Sequence, residues 1–151
     1  MLNKTIRGKL DKTLEELQNN SWGGPVFNSH LVKTVYELRK KPLKDFTIED
    51  LRICIGQNTS LEYLIPLALD ELENNILAEG DFFEGDLLIN VLRSDHQYWQ
   101  SHADLGKRLI NMIEKKRDEL NNPSRMHEID KNSFVKDILP FSLILFLPNI
   151  L

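Results

Sequence analysis

The stretch SLEYLIPLALDELE, residues 60–73, indicates the fold class of this chain. Its apolar residues recur at spacings of three and four, which is the pattern of an amphipathic α-helix with one buried face. The members of this apolar stripe are Leu61, Leu64, Ile65, Ala68, Leu69 and Leu72. Pro66 lies inside the pattern or near its start, so we expect it either to kink the helix or to shorten it.

Helical patterns continue on both sides of this stretch. Apolar residues spaced by three and four predict a first helix over about residues 3–19 and a long helix over about residues 103–120. Thr47, followed by Asp50 three residues later, is typical of a helix start, because the threonine oxygen can accept a hydrogen bond from an otherwise unpaired N–H. Alternating strand patterns are absent. The sequence therefore predicts an all-α, single-domain bundle of six to eight helices.

Length and composition are consistent with this fold class. A chain of 151 residues favours one domain, here predicted over residues 1–151. The chain has one cysteine, Cys54, so an internal disulfide is excluded and a disulfide-stapled secreted domain with it. The net charge of −4 disfavours nucleic-acid binding through a globally basic surface.

The C-terminal stretch, residues 138–151, is a run of 14 uncharged residues. A membrane-spanning helix needs about 20 apolar residues, so this run is too short to cross a bilayer. We interpret it as a short buried helix that closes the core, with Pro140 near its first turn. Contact with a partner or a membrane surface is the alternative. No secretory signal pattern occurs at the N-terminus, which together with the lack of disulfides predicts a cytoplasmic protein.

Charge is distributed unevenly along the chain. Residues 45–86 contain 11 acidic residues and one basic residue, Arg52, so this segment has a net charge of −10. Residues 1–44 have a net charge of +5, and residues 87–151 of +1. Like charges at helical spacing repel by a few tenths of a kcal/mol, roughly, so folding alone gives no reason to concentrate acids in one segment.

Two interpretations of this acidic segment are open. The basic N-terminal helices could pack beside it and neutralise it, or it could be a binding surface for a basic partner, which clustered charge would attract faster. Glu62, Asp70 and Glu73 fall on one face of the predicted helix, opposite its apolar stripe. Phe82 and Phe83 could be apolar anchors of such a surface or ordinary core residues. The candidate binding residues are Glu62, Asp70, Glu71, Glu73, Glu79, Asp81, Phe82, Phe83, Glu84 and Asp86.

Motifs for catalysis or metal binding are absent from the sequence. His96 and His102 are separated by six residues, which is not a helical metal-ligand spacing, and no HExxH, CxxC or EF-hand pattern occurs. Gly-rich phosphate-binding loops are also missing. Cys54 falls on the apolar side of a predicted helix, as a small core residue would. We therefore expect no catalytic residues, no metal and no cofactor.

Four stretches of the sequence resemble one protein family. They are residues 40–52 (KKPLKDFTIEDLR), 55–58 (IGQN), 61–69 (LEYLIPLAL) and 78–88 (AEGDFFEGDLL). Residues 12–17 (KTLEEL) and Trp22-Gly23 fit the same pattern. Together, these stretches resemble the contact-dependent growth inhibition (CDI) immunity proteins of Gram-negative bacteria, over about residues 3–99.

The resemblance implies a function. It implies a cytoplasmic protein without enzymatic activity that binds the C-terminal toxin domain delivered by a neighbouring cell, in a one-to-one complex, and neutralises it. Family toxins are often nucleases, and a ribonuclease-like toxin is expected to have a basic surface for phosphates that an acidic face could cover. Direct nucleic-acid binding and membrane association are not expected. Two alternatives stay open: a helical adaptor or regulatory subunit of a permanent complex, and a membrane-surface protein that uses residues 138–151.

Overall fold

The computed structural model describes residues 4–26 and 28–120. Within these ranges the chain forms α-helices, one short 3₁₀-helix and no strand beyond a single isolated bridge between Thr13 and Pro42. The all-α fold that the apolar pattern predicts is therefore confirmed. The elements are α1 (Lys4–Arg7), α2 (Leu14–Gln18), α3 (His30–Leu38), the 3₁₀-helix (Leu43–Asp45), α4 (Ile48–Gly56), α5 (Leu61–Asn74), α6 (Asp86–Arg93), α7 (His96–Ser101), α8 (Ala103–Lys115) and α9 (Arg117–Leu120).

The predicted start of α4 is confirmed in atomic detail. The Thr47 hydroxyl accepts a hydrogen bond from the Asp50 N–H at 3.2 Å, and the Asp50 carboxylate accepts one from the Thr47 N–H at 2.9 Å. This reciprocal pair is a capping box, which satisfies two helix-terminal N–H groups. It fixes the direction of α4, which positions the site described below.

The helix at the centre of the fold is α5, which contacts α1, α4, α6 and α8. It runs without interruption through Pro66, so the proline does not shorten it. The predicted stripe is buried, but so are Tyr63 and Pro66 on other sides of the helix. Because neighbouring helices cover α5 on more than one side, its acidic side chains reach solvent only at the parts of its surface that those helices do not contact.

The predicted helix over residues 3–19 is wrong in one respect, because the chain forms two short helices there. Between α1 and α2 the carbonyl groups of Leu10 and Lys12 accept hydrogen bonds from the N–H groups of Lys44 and Leu43, at 2.9 and 3.0 Å. Thr13 then begins α2 with its own capping box. Pairing with a segment more than 30 residues away has replaced the local helical bonds, which periodicity alone does not reveal.

The predicted helix over residues 103–120 is present with one interruption, at Lys116 between α8 and α9. The apolar stretch 138–151 lies entirely outside the described residues. The single domain predicted over residues 1–151 includes this stretch, so it stays a prediction. No helix in residues 4–26 and 28–120 is long and apolar enough to cross a membrane.

Candidate functional site

The four acidic candidates on α5 differ in their surroundings. Glu62 and Glu71 are exposed, whereas Asp70 is half-buried beneath α8. Arg108 of α8 donates hydrogen bonds to the Asp70 carboxylate at 2.7 Å and to the Glu73 carboxylate at 2.6 Å. The hydrogen bond from Arg108 lowers the pKa of Glu73. Two of the four acids are therefore already ion-paired within the chain.

This pairing bears on the two interpretations of the acidic segment. A neutralising cation is present, but Arg108 comes from α8 and not from the basic N-terminal helices. The charge of Glu62 and Glu71 stays at the surface. Asp70 and Glu73 are thus part of the contact between α5 and α8, whereas Glu62 and Glu71 are open to solvent.

The remaining candidates lie together on the loop between α5 and α6, residues 79–85, which we call the Phe82 loop. Glu79, Asp81 and Glu84 are exposed on it. The Phe82 side chain is 69% exposed, which is unusual for a large aromatic residue. Phe83 is half-buried and packs against the hydrophobic core. The loop therefore presents one aromatic ring to solvent, carries three exposed acidic residues, and packs its other ring against the core.

Asp86, the last candidate, is 1% exposed and shapes this loop from beneath. Its carboxylate accepts hydrogen bonds from the backbone N–H groups of Gly80 at 2.7 Å and Phe82 at 3.2 Å. These bonds close the loop over the first turn of α6. Gly85, with φ of +88°, precedes that turn in a left-handed conformation that glycine adopts without strain.

A second set of contacts holds the loop against α4. Arg52 donates two hydrogen bonds to the Glu49 carboxylate, both at 2.6 Å, and Glu49 Oε2 accepts a further one from the Asp81 N–H at 2.8 Å. The hydrogen bond from Arg52 lowers the pKa of Glu49, so this carboxylate stays ionised at neutral pH. Arg52 Nε also lies 3.8 Å from the Asp86 carboxylate. Arg52 of α4 thus connects to the start of the loop through Glu49, which bonds the Asp81 N–H, and to the end of the loop through Asp86.

Arg52 also supports the exposed aromatic ring. Its guanidinium carbon lies 4.4 Å from the centroid of the Phe82 ring, which is a cation–π contact. A ring held in place on a braced loop loses little freedom when it is buried by a partner. Aromatic residues ringed by polar groups are typical energetic centres of protein interfaces.

Residues that shape this site were missed by the sequence analysis. Glu49 and Arg52 were counted only as charges, although their spacing of three residues on one helix face is a signal that they can pair. Gly80 belongs to the stretch 78–88 that resembles the family, but nothing in the sequence indicated its contact with α4. A Cβ at this position would collide with the Glu49 carboxylate, so glycine allows the loop to approach α4 this closely.

Other chemistry in the described part of the chain is limited. No group of three or more His, Cys, Asp and Glu side chains there could hold a metal ion. Burial raises the pKa of the Cys54 thiol to about 12. A thiol that stays protonated at neutral pH is a poor nucleophile, which fits the prediction that Cys54 is a core residue.

Comparison with known proteins adds an independent observation. The model of one protein family, described as CDI immunity proteins, matches residues 16–109, which is more than half of the chain. The matched range includes α4, α5, the Phe82 loop and Arg108. No curated protein matches the chain significantly. No solved structure matches it significantly either. On the strength of the family match and the resemblance of its sequence, this chain belongs to the CDI immunity proteins.

Proposed function

We propose that this immunity protein binds the C-terminal toxin domain of its own CDI system, one to one, and neutralises it by covering the active-site or substrate-binding surface. The observation that carries the proposal is the Phe82 loop, in which an exposed aromatic ring contacts Arg52 and the neighbouring residues Glu79, Asp81 and Glu84 are exposed acids. The protein acts as an inhibitor and not as an enzyme. Its site of action is the cytoplasm, where the incoming toxin would meet its substrate.

We further propose that the toxin is a basic nuclease, ribonuclease-like in its surface. Proteins that grip the phosphate backbone use clustered Lys and Arg. The exposed acids Glu79, Asp81 and Glu84 complement such a surface, and Phe82 supplies the apolar contact that charge alone lacks. Glu62 and Glu71 add exposed negative charge on α5.

Co-expression tests the proposal. The C-terminal toxin domain encoded with this chain is induced in cells that carry the wild-type immunity protein, no immunity protein, or the Phe82→Ala variant. We expect growth rescue and a one-to-one complex with the wild type only. Removing an interface centre of this kind weakens affinity by about 30-fold or more. Val26→Ala is the control, since Val26 is an apolar residue outside the loop that is even more exposed than Phe82.

Two further measurements separate the parts of the proposal. The association rate should fall with added salt if the acidic surface attracts a basic toxin. Incubation of the isolated toxin with RNA and DNA tests the nuclease assignment by itself. Rescue without any effect of Phe82→Ala would place the interface elsewhere, and absence of both rescue and complex would contradict toxin binding altogether.

A further inference from the structure

Arg52 is the one basic residue in the acidic segment, residues 45–86, where it stands among 11 acidic residues. A cation at a surface that attracts a basic toxin is unfavourable unless it is neutralised, because like charges repel across an interface. The Arg52 side chain is only 16% exposed and is neutralised by Glu49, whose carboxylate it contacts at 2.6 Å. Arg52 is therefore placed to act on the Phe82 loop and not on the partner.

The hydrogen bonds of Arg52 fix the plane of its guanidinium group. Its Nε and one terminal nitrogen each donate to the Glu49 carboxylate at 2.6 Å, and Nε lies 3.8 Å from the Asp86 carboxylate. Glu49 in turn accepts the bond from the Asp81 N–H at 2.8 Å. Bidentate bonds of this kind lie in the guanidinium plane, so they set its orientation and leave its faces free. The Phe82 ring, whose centroid lies 4.4 Å from the guanidinium carbon, contacts this fixed group.

The Phe82 ring depends on Arg52 because the core does not hold it. Phe83 packs against the core, whereas Phe82 is 69% exposed and takes no part in that packing within the described part of the chain. The Phe82 N–H donates to the Asp86 carboxylate at 3.2 Å, which fixes the backbone but leaves rotation about the side-chain bonds free. Contact with Arg52 restricts that rotation. An aromatic side chain that is ordered before binding avoids the entropy cost of being ordered by the partner.

We propose that Arg52 is a positioning residue for toxin binding, an inference that rests on the proposed function: it holds the Phe82 ring in the orientation in which the toxin domain receives it. The planar face of the guanidinium group carries this role, and not its charge alone. Lysine in its place would keep the charge and a bond to Glu49, but its ammonium group offers no plane on which a ring can stack. Arg52 thus contributes to affinity through Phe82 and without touching the toxin.

A double-mutant cycle tests this role. Toxin affinity of the full chain is measured by calorimetry for the wild type, Arg52→Lys, Phe82→Ala and the double variant. We expect Arg52→Lys to weaken binding by about three- to tenfold, because the cation–π contact and the ordering of the ring are lost. In the Phe82→Ala background the same substitution should change affinity by less than about twofold, because the residue through which Arg52 acts is gone. An equal loss in both backgrounds would overturn the inference, since Arg52 would then act without Phe82.

Arg117→Lys is the matched control for the cycle. Arg117 also pairs with a glutamate three residues earlier in the chain, Glu114, at 2.8 Å, but it lies outside the Phe82 loop. We expect this substitution to leave toxin affinity unchanged. An affinity loss equal to that of Arg52→Lys would show a general effect of replacing arginine by lysine and would also overturn the inference.

Fluorine NMR of the free protein measures the position of the ring without the toxin. The chain carries 4-fluorophenylalanine in place of Phe82, and Arg52→Lys should move its resonance towards that of the urea-unfolded chain, while Arg117→Lys should not. An unchanged resonance in Arg52→Lys would refute the positioning role, as would toxin binding that is weakened by Phe82→Ala and unaffected by Arg52→Lys. Failure of the wild-type protein to bind toxin would instead refute the proposed function itself.

Discussion

Replacing Asp86 by asparagine probes whether a buried carboxylate holds the Phe82 loop in place. The wild-type carboxylate accepts hydrogen bonds from three backbone N–H groups, those of Gly80, Phe82 and Phe83, and lies near Arg52. Asparagine keeps one acceptor oxygen but presents an NH₂ group where the other oxygen was, so at least one of these N–H groups loses its acceptor. Loss of a hydrogen bond to a charged group costs about 1.5–3 kcal/mol, and an unpaired buried donor adds to this. We expect Asp86→Asn to lower the free energy of unfolding by about 2–4 kcal/mol.

Urea denaturation followed by circular dichroism measures this change, and thermal melting should show a fall of roughly 4–16 °C. The matched control is Asp81→Asn, which makes the same chemical change on the same loop at an exposed side chain. Surface substitutions of this kind stay within about 0.5 kcal/mol of the wild type. An Asp86→Asn protein as stable as Asp81→Asn would refute the argument that this carboxylate organises the loop.

Three other perturbations test the packing around the site. The pKa of Glu49 is lowered from its ordinary value of 4.5 by its hydrogen bonds with Arg52, so its contribution to stability is complete above pH 4.5 and disappears as the pH falls through the lowered pKa. Urea titrations should therefore show a larger loss of stability between pH 7 and pH 3 for the wild type than for Glu49→Gln, and equal losses would contradict this. Gly80→Ala should destabilise the fold by about 1–3 kcal/mol, because the new Cβ would collide with the Glu49 carboxylate and lie 3.1 Å from Arg52 Cδ. An unchanged melting temperature would contradict this close approach of the loop to α4. Trp99→Phe should lower the free energy of unfolding, measured by chemical denaturation, by about 2–4 kcal/mol. The reason is that the fully buried indole fills the core and donates a hydrogen bond to Ser94 Oγ at 2.9 Å. A loss below about 1 kcal/mol would show that the core closes around the smaller ring.

The acidic residues of this immunity protein fall into two groups, those that hold the fold together and those that are exposed. Asp86 and Glu49 organise the Phe82 loop, and Asp70 and Glu73 attach α8 to α5. These side chains are tied to neighbours within the chain, so reversing their charge would disturb folding as well as binding. Mutations at Glu79, Asp81 and Glu84, which are exposed, report on binding more directly.

Much of the local structure could be predicted from the sequence because it depends on near neighbours. The apolar stripe of α5 follows from a spacing of three and four, and the start of α4 follows from Thr47 and Asp50. The concentration of acid between residues 45 and 86 was also visible in the sequence. Helical periodicity and capping involve residues within about one turn of each other, so a single sequence contains the required information.

The tertiary structure alone decided which acids face solvent and which hold the fold together. Asp70 pairs with Arg108, 38 residues away, and the Asp81 N–H bonds to Glu49, 32 residues away. Residues 3–19 divide into two helices because the chain there pairs with residues 43 and 44. Such contacts form only when distant helices pack together, so their partners are absent from any local pattern. The sequence thus determined most helices and the excess of negative charge, whereas packing determined that Glu79, Asp81 and Glu84 are exposed on the loop that carries Phe82.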